Sequence, residues 1–187
     1  MINLIIFGSP GAGKGTQAAL IAKRYKLAPI SSGEILRQEL KNGRLGARIK
    51  KYQDAGKLVP DSLIIKMVED SARKKIKGAG FIFDGYPRNI KQARSLGRFF
   101  KNNGLQLNAV INLKLAEKVA AGRILLRAKT SGRSDDNLKT VKNRFRVYRA
   151  QTAPILKYYR ALGKVLDIDG RPEIPEVFKK IKSLLNK

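Results

Sequence analysis

A short apolar run, Ile2 to Phe7, breaks directly into Gly8-Ser9-Pro10-Gly11-Ala12-Gly13-Lys14-Gly15-Thr16, and a helix-forming segment, roughly Lys14 to Tyr25, follows at once. No other feature restricts the fold so tightly. A strand must end at Phe7, the chain must turn through residues free to adopt positive φ, and a helix must start immediately. Successive N–H groups in such a turn converge on one concavity, and the new helix aims its positive end at the same point. Phosphate oxygens are the ligand that fits, with Lys14 reaching the terminal phosphates and Thr16 offering a hydroxyl beside a magnesium ion. The general pattern sets Ser or Thr directly after the lysine. Here Gly15 intervenes, and Pro10 stands inside the loop.

Beyond the loop, short β-rich runs alternate with longer amphipathic ones. Strands are expected at Asn3–Phe7, Ala28–Ser31, Phe81–Asp84, Ala109–Leu113 and Val165–Ile168. Helices between them imply right-handed βαβ units, and so an α/β fold of the P-loop NTPase type: a central five-stranded parallel sheet between two helical layers. Ligands in such sheets gather at the carboxyl ends of the strands, where Gly8, Ser31 and Asp84 fall. From Asp135 to Leu162 the chain reads as helix. Leu138, Val141, Phe145, Tyr148, Thr152, Ile155, Tyr159 and Leu162 recur at steps of three and four as one buried stripe, with Asp135 and Asp136 as candidate caps. Pro154 should interrupt it, having no N–H for the ladder.

Composition narrows the classes that remain. A chain of 187 residues with 43% hydrophobic residues suits one domain with a substantial core and a small inserted subdomain. The absence of cysteine removes disulfides and thiolate metal sites and fits a reducing, cytoplasmic setting. The absence of histidine removes the imidazole acid–base catalyst. The opening apolar run has no basic flank and leads into the loop, so it is a strand and not a signal peptide. No segment approaches a membrane span. The net charge of +26 is the anomaly, and it is spread along the chain as +3, +7, +8 and +8 over residues 1–40, 41–80, 81–130 and 131–187. Without a basic tail or an aromatic-basic platform, this reads as a lysine-rich solvated surface and not as a specific nucleic-acid interface.

Three further segments carry chemistry. Ser31-Ser32-Gly33-Glu34-Ile35-Leu36-Arg37 is, on its own, a serine-capped helix start. Gly56-Lys57-Leu58-Val59-Pro60-Asp61 reads as a helix-ending glycine followed by an Asp-capped helix. In Gly80-Phe81-Ile82-Phe83-Asp84-Gly85-Tyr86-Pro87-Arg88-Asn89-Ile90-Lys91-Gln92, an apolar strand ends in a carboxylate suited to a hydrated magnesium ion. Arg88 adds a planar fork for bidentate contact with phosphate. Gln92, a turn later, can donate to and accept from a base edge at once. Then come Arg123, Arg127, Arg133 and Arg144 around Thr130-Ser131-Gly132 and Ser134-Asp135-Asp136-Asn137.

Taken in order, these segments resemble the adenylate kinase family of nucleoside monophosphate kinases over nearly the whole chain. The resemblance implies one kinase domain, 1–187, with a core at 1–30, 61–127 and 134–187, a nucleoside-monophosphate-binding subdomain at 31–60 and a short lid loop at 128–133. It implies that Gly11, Ala12, Gly13, Lys14, Gly15, Thr16, Arg123, Arg127 and Pro172 bind ATP. It gives AMP to Ser32, Arg37, Lys57, Leu58, Val59, Gly85, Tyr86, Pro87, Arg88, Gln92, Arg133 and Arg144. Thr16 and Asp84 would hold Mg²⁺, largely through water, and Lys14, Arg88, Arg127, Arg133 and Arg144 would surround the transferring group. Two departures, Ser32 for the usual Thr and Glu34 for the usual Asp, leave the hydroxyl and the carboxylate in place. The short lid implies no zinc.

The implied reaction is Mg-ATP plus AMP giving two ADP, reversibly, with no general base, because the AMP phosphate is already anionic. A cytoplasmic monomer whose partners are ATP, AMP and ADP is the expectation. UMP/CMP kinases share the short lid, but Ser32 and Gln92 favour AMP. The rival from another class is a basic P-loop protein that binds RNA, whose affinity would fall steeply with salt.

Overall fold

The computed structural model describes residues 1–42, 45–55, 57–131 and 137–186. Five strands, β1 (Ile2–Gly8), β2 (Ala28–Ser31), β3 (Gly80–Asp84), β4 (Ala109–Lys114) and β5 (Val165–Asp169), form one parallel sheet in the order β2-β3-β1-β4-β5. Each expected strand is present, with its ends within a residue of those expected. Register aligns the functional ends: Ser31 pairs with Asp84 across β2 and β3, and Ile6 pairs with Asp84 across β1 and β3. The turn after β1 therefore opens beside the carboxyl ends of its neighbours, as the topology requires of a ligand site.

β1 is central, which explains its apolar run Leu4–Phe7: both of its faces are buried there. Leu4 and Ile6 join Ile82, Ile111 and Leu113 against Ile21 of α1 (Lys14–Tyr25) and Val177 and Ile181 of α9 (Ile174–Leu185). Ile5 and Phe7 turn the other way, with Phe81, Phe83 and Val110. They meet Ile64 and Val68 of α4 (Asp61–Arg73), Leu96 and Phe100 of α5 (Ile90–Asn102), and Ile155 and Tyr159 of α8 (Ala153–Ala161). Full burial of each such side chain contributes about 1.5–3 kcal/mol. Between β2 and α4 lie α2 (Ser32–Asn42) and α3 (Gly46–Asp54). α6 (Glu117–Ser131) and α7 (Leu138–Val147) pack through Ala120, Ile124, Val141 and Phe145. Thr140 Oγ1 of α7 donates to the Asp54 carbonyl, 3.1 Å, and so ties α7 to the end of α3.

The long helix expected over 135–162 is divided. α7 starts at Leu138 with Asn137 as its cap, whose Oδ1 accepts from the Thr140 N–H at 3.0 Å; Asp135 and Asp136 lie outside the described residues. A π-helical turn, Tyr148–Thr152, then precedes α8, and the Ala153 N–H donates to the Tyr148 carbonyl. Pro154, in the first turn of α8, has no N–H for the ladder, and the widened turn accommodates it. The expected stripe ends at Tyr159: α8 stops at Ala161, and Leu162, its C-cap, is 52% exposed. Of the span expected as a lid loop, residues 128–131 form the last turn of α6. Asp61 is not a cap: Pro60 holds that position, and Asp61 is the first residue of α4.

Candidate active site

The turn after β1 is built around its glycines. Gly11 has φ +81°, and a Cβ there would lie 2.3 Å from the Ala120 carbonyl oxygen, so this loop packs backbone to backbone against α6. Lys14 Nζ donates to the carbonyls of Gly8 and Ser9, each at 2.9 Å, folding the ammonium into the loop that presents it. Burial pulls its pKa from 10.5 down to about 8; Asp84 opposes the shift, and Arg88, Arg144 and Arg127 add to it. Burial first, and the three guanidiniums after it, thus work against the charged lysine, and an incoming anion would favour it. Asp84 sits against the loop, with Oδ2 3.6 Å from where a Gly15 Cβ would stand.

The carboxyl end of β3 organises a second cluster. Gly85 has φ +69°, and its carbonyl accepts from Ser32 Oγ at 2.6 Å and from Arg88 Nε at 2.7 Å. A Cβ there would lie 2.8 Å from Ser32 Oγ, so only glycine permits this approach. The Arg88 backbone is held at both ends: its N–H donates to Gln92 Oε1, 2.8 Å, and its carbonyl accepts from Thr152 Oγ1, 3.0 Å. Asn89 caps α5 through the Gln92 N–H, 2.9 Å. Asp61 Oδ1 accepts from both Asn89 Nδ2 and Gln92 Nε2, each at 2.7 Å.

Two adjoining cavities result. The larger, about 790 Å³, is lined by Gly11 to Thr16 together with Asp84, Arg123, Arg127 and Pro172. The smaller, about 110 Å³, is lined by Ser32, Lys57, Leu58, Val59 and Gln92. Arg37, Gly85, Arg88 and Arg144 line both, forming the seam between them. Tyr86 and Pro87 line a third recess, about 80 Å³, with Leu58 and Lys14. Every expected site residue that the structure describes faces one of these three spaces; Arg133 lies outside the described residues. Arg123 also has a further engagement. Its guanidinium donates to the carbonyls of Gly170 (3.0 Å) and Arg171 (3.2 Å), and so anchors the loop that carries Pro172.

Sequence reasoning gave no place in the site to Asp61 or Thr152, nor to Gln53, which lines the smaller cavity. Asn89-x-x-Gln92 did carry a capping signal. The link from Asp61 to that pair spans 28 and 31 residues and exists only in the folded chain.

A parallel sheet with a phosphate loop at the end of its central strand, opening on two cavities that share an arginine seam, defines a P-loop nucleotide kinase. The comparison with known families gives the particular one. The Adenylate kinase model matches residues 6–164, and the chain belongs to the adenylate kinase family. It is 46% identical over 187 residues to the adenylate kinase of Parabacteroides distasonis, covering 100% of this chain and 98% of that one. It is 44% identical to the adenylate kinase of Azobacteroides pseudotrichonymphae (97% and 95% covered) and 42% identical to that of Leptospira biflexa (95% and 96% covered). Among the described residues, no helix is long and apolar enough to cross a membrane.

Proposed function

We propose that the chain transfers the γ-phosphoryl group of Mg-ATP to AMP, reversibly, giving two ADP, with ATP in the larger cavity and AMP in the smaller. The seam carries this reading. Arg37, Arg88 and Arg144 border both cavities, so a phosphoryl group crossing between them stays in contact with guanidinium throughout. Phosphoryl transfer asks for positioning and charge neutralisation and little else, which suits a site without histidine. The loop amides hold the donor and Lys14 meets its terminal phosphates. Arg127 and Arg144, with Arg133 joining them, counter the charge of the group in flight. Ser32 and the 57–59 backbone seat the acceptor.

The donor set also fits magnesium. One carboxylate, Asp84, stands against the loop, and the Thr16 hydroxyl borders the same cavity. A hard cation that keeps most of its water and takes phosphate oxygens needs no more protein than this. Bound there, the ion would neutralise charge on the donor phosphates. Closure of α2 and α3 over the acceptor would keep water from taking its place.

The test is ADP formation from Mg-ATP with AMP, UMP, CMP and GMP compared side by side. Rapid turnover with AMP is expected. A preference for UMP or CMP keeps the phosphoryl chemistry and overturns the acceptor, and no transfer to any of them overturns the reading.

A further inference from the structure

Gln92 is 2% exposed, yet its side chain borders the smaller cavity. Both ends of its amide are spoken for. Oε1 accepts from the Arg88 backbone N–H at 2.8 Å, and Nε2 donates to Asp61 Oδ1 at 2.7 Å. The two neighbours impose the same orientation, because a backbone N–H only donates and a carboxylate oxygen only accepts. Turning the amide over would set Oε1 against the carboxylate and the NH₂ against an N–H, replacing two hydrogen bonds by two repulsions. Asp61 is itself fixed. It opens α4 and also accepts from Asn89 Nδ2 at 2.7 Å, while Asn89 Oδ1 takes the Gln92 N–H at 2.9 Å. The three side chains close a ring between α4 and α5.

We infer that Asp61 is a specificity-determining positioning residue that locks the Gln92 amide in the orientation that reads a 6-aminopurine and rejects a 6-oxopurine. The inference rests on AMP as the acceptor. A primary amide has two N–H bonds and two oxygen lone pairs. The lock uses one of each and leaves one of each, in fixed order, for a base. Adenine presents an amino donor beside a ring-nitrogen acceptor; hypoxanthine and guanine present a carbonyl acceptor beside an N–H donor. The two patterns are opposite in polarity. A freely turning glutamine serves both, whereas a locked one serves one. Asp61 acts through Gln92 and has no part in the transfer itself.

Asp61→Ala tests this, because it removes the one oxygen, Oδ1, that accepts from both Asn89 Nδ2 and Gln92 Nε2. kcat and KM are measured for AMP and IMP with ATP as donor, in the wild type and in D61A. The AMP-over-IMP preference in kcat/KM should fall about tenfold, as expected for losing one charged hydrogen-bond partner. The change should appear as a higher KM for AMP and a lower one for IMP, with the KM for ATP unmoved. Mere structural damage would lower turnover of both acceptors together. If D61A does not fold, Asp61→Ser, whose hydroxyl can donate as well as accept, takes its place. A preference within twofold of the wild type in the folded variant overturns the lock alone. A wild type that transfers nothing to AMP overturns the acceptor reading, and the lock with it.

Discussion

The lowered pKa of Lys14 predicts that polyphosphate binding takes up a proton. In the free protein, burial holds this ammonium at about 8 instead of 10.5, with Arg88, Arg144 and Arg127 adding to the effect against Asp84. A triphosphate brings negative charge to that point and restores the higher value. The free site is then about half protonated at pH 8 and about one-tenth protonated at pH 9, so ATP binding takes up about 0.5 and about 0.9 proton at these pH values. ATP affinity should fall about sixfold from pH 8 to pH 9, since the free site must first recover its proton. Stability runs the opposite way. A lysine pKa depressed in the fold means that the unfolded chain holds more protons between about 8 and 10.5, so this group's contribution to stability rises with pH across that window. Calorimetric titration of Mg-ATP in two buffers of different ionisation enthalpy, at pH 8 and pH 9, measures the uptake directly. Lys14→Met should abolish it. Uptake below about 0.1 proton at both pH values, with ATP bound, would refute the reasoning.

Two further perturbations separate site from scaffold. Gly85→Ala places a Cβ 2.8 Å from Ser32 Oγ at φ +69°, so steady-state kinetics should show the KM for AMP raised about tenfold with the KM for ATP little changed. Asn3→Ala removes the side chain that donates to the Gln106 carbonyl, 2.8 Å, and accepts from the buried Phe81 N–H, 3.2 Å. Denaturation should show a loss of about 2–4 kcal/mol, with kcat at 25 °C unchanged, because Asn3 lies far from both cavities.

The chain announces what is contiguous and conceals what folding assembles. Ile2–Phe7 reads as a strand because an apolar run such as Leu4–Phe7 suits a central parallel strand buried on both faces, and the glycines after it fix the turn. Asp84, Arg88 and Gln92 were legible for the same reason: they follow one another within a single strand–turn–helix. Asp61 was read as a cap because nothing local shows Asn89 and Gln92 converging on its carboxylate. Thr152 was read as one rung of a buried stripe. The π-helical turn before Pro154 lets its hydroxyl reach the Arg88 carbonyl, a contact between residues 64 apart. Leu162 fell out of the stripe because α8 ends at Ala161 and Leu162 is its C-cap. Arg123 was expected to bind ATP, and its bonds to Gly170 and Arg171 give it a second task that spacing does not reveal.

The central claim is that two nucleotide sites meet at one arginine seam, and ADP alone tests it most directly. Incubated with Mg²⁺ and ADP as the only nucleotide, and followed by phosphorus NMR, the protein should produce ATP and AMP in equal amounts and stop at equilibrium, since each site then holds one ADP. Lys14→Met should produce neither. Release of inorganic phosphate with AMP, or no change in ADP at all, would contradict the two-site account.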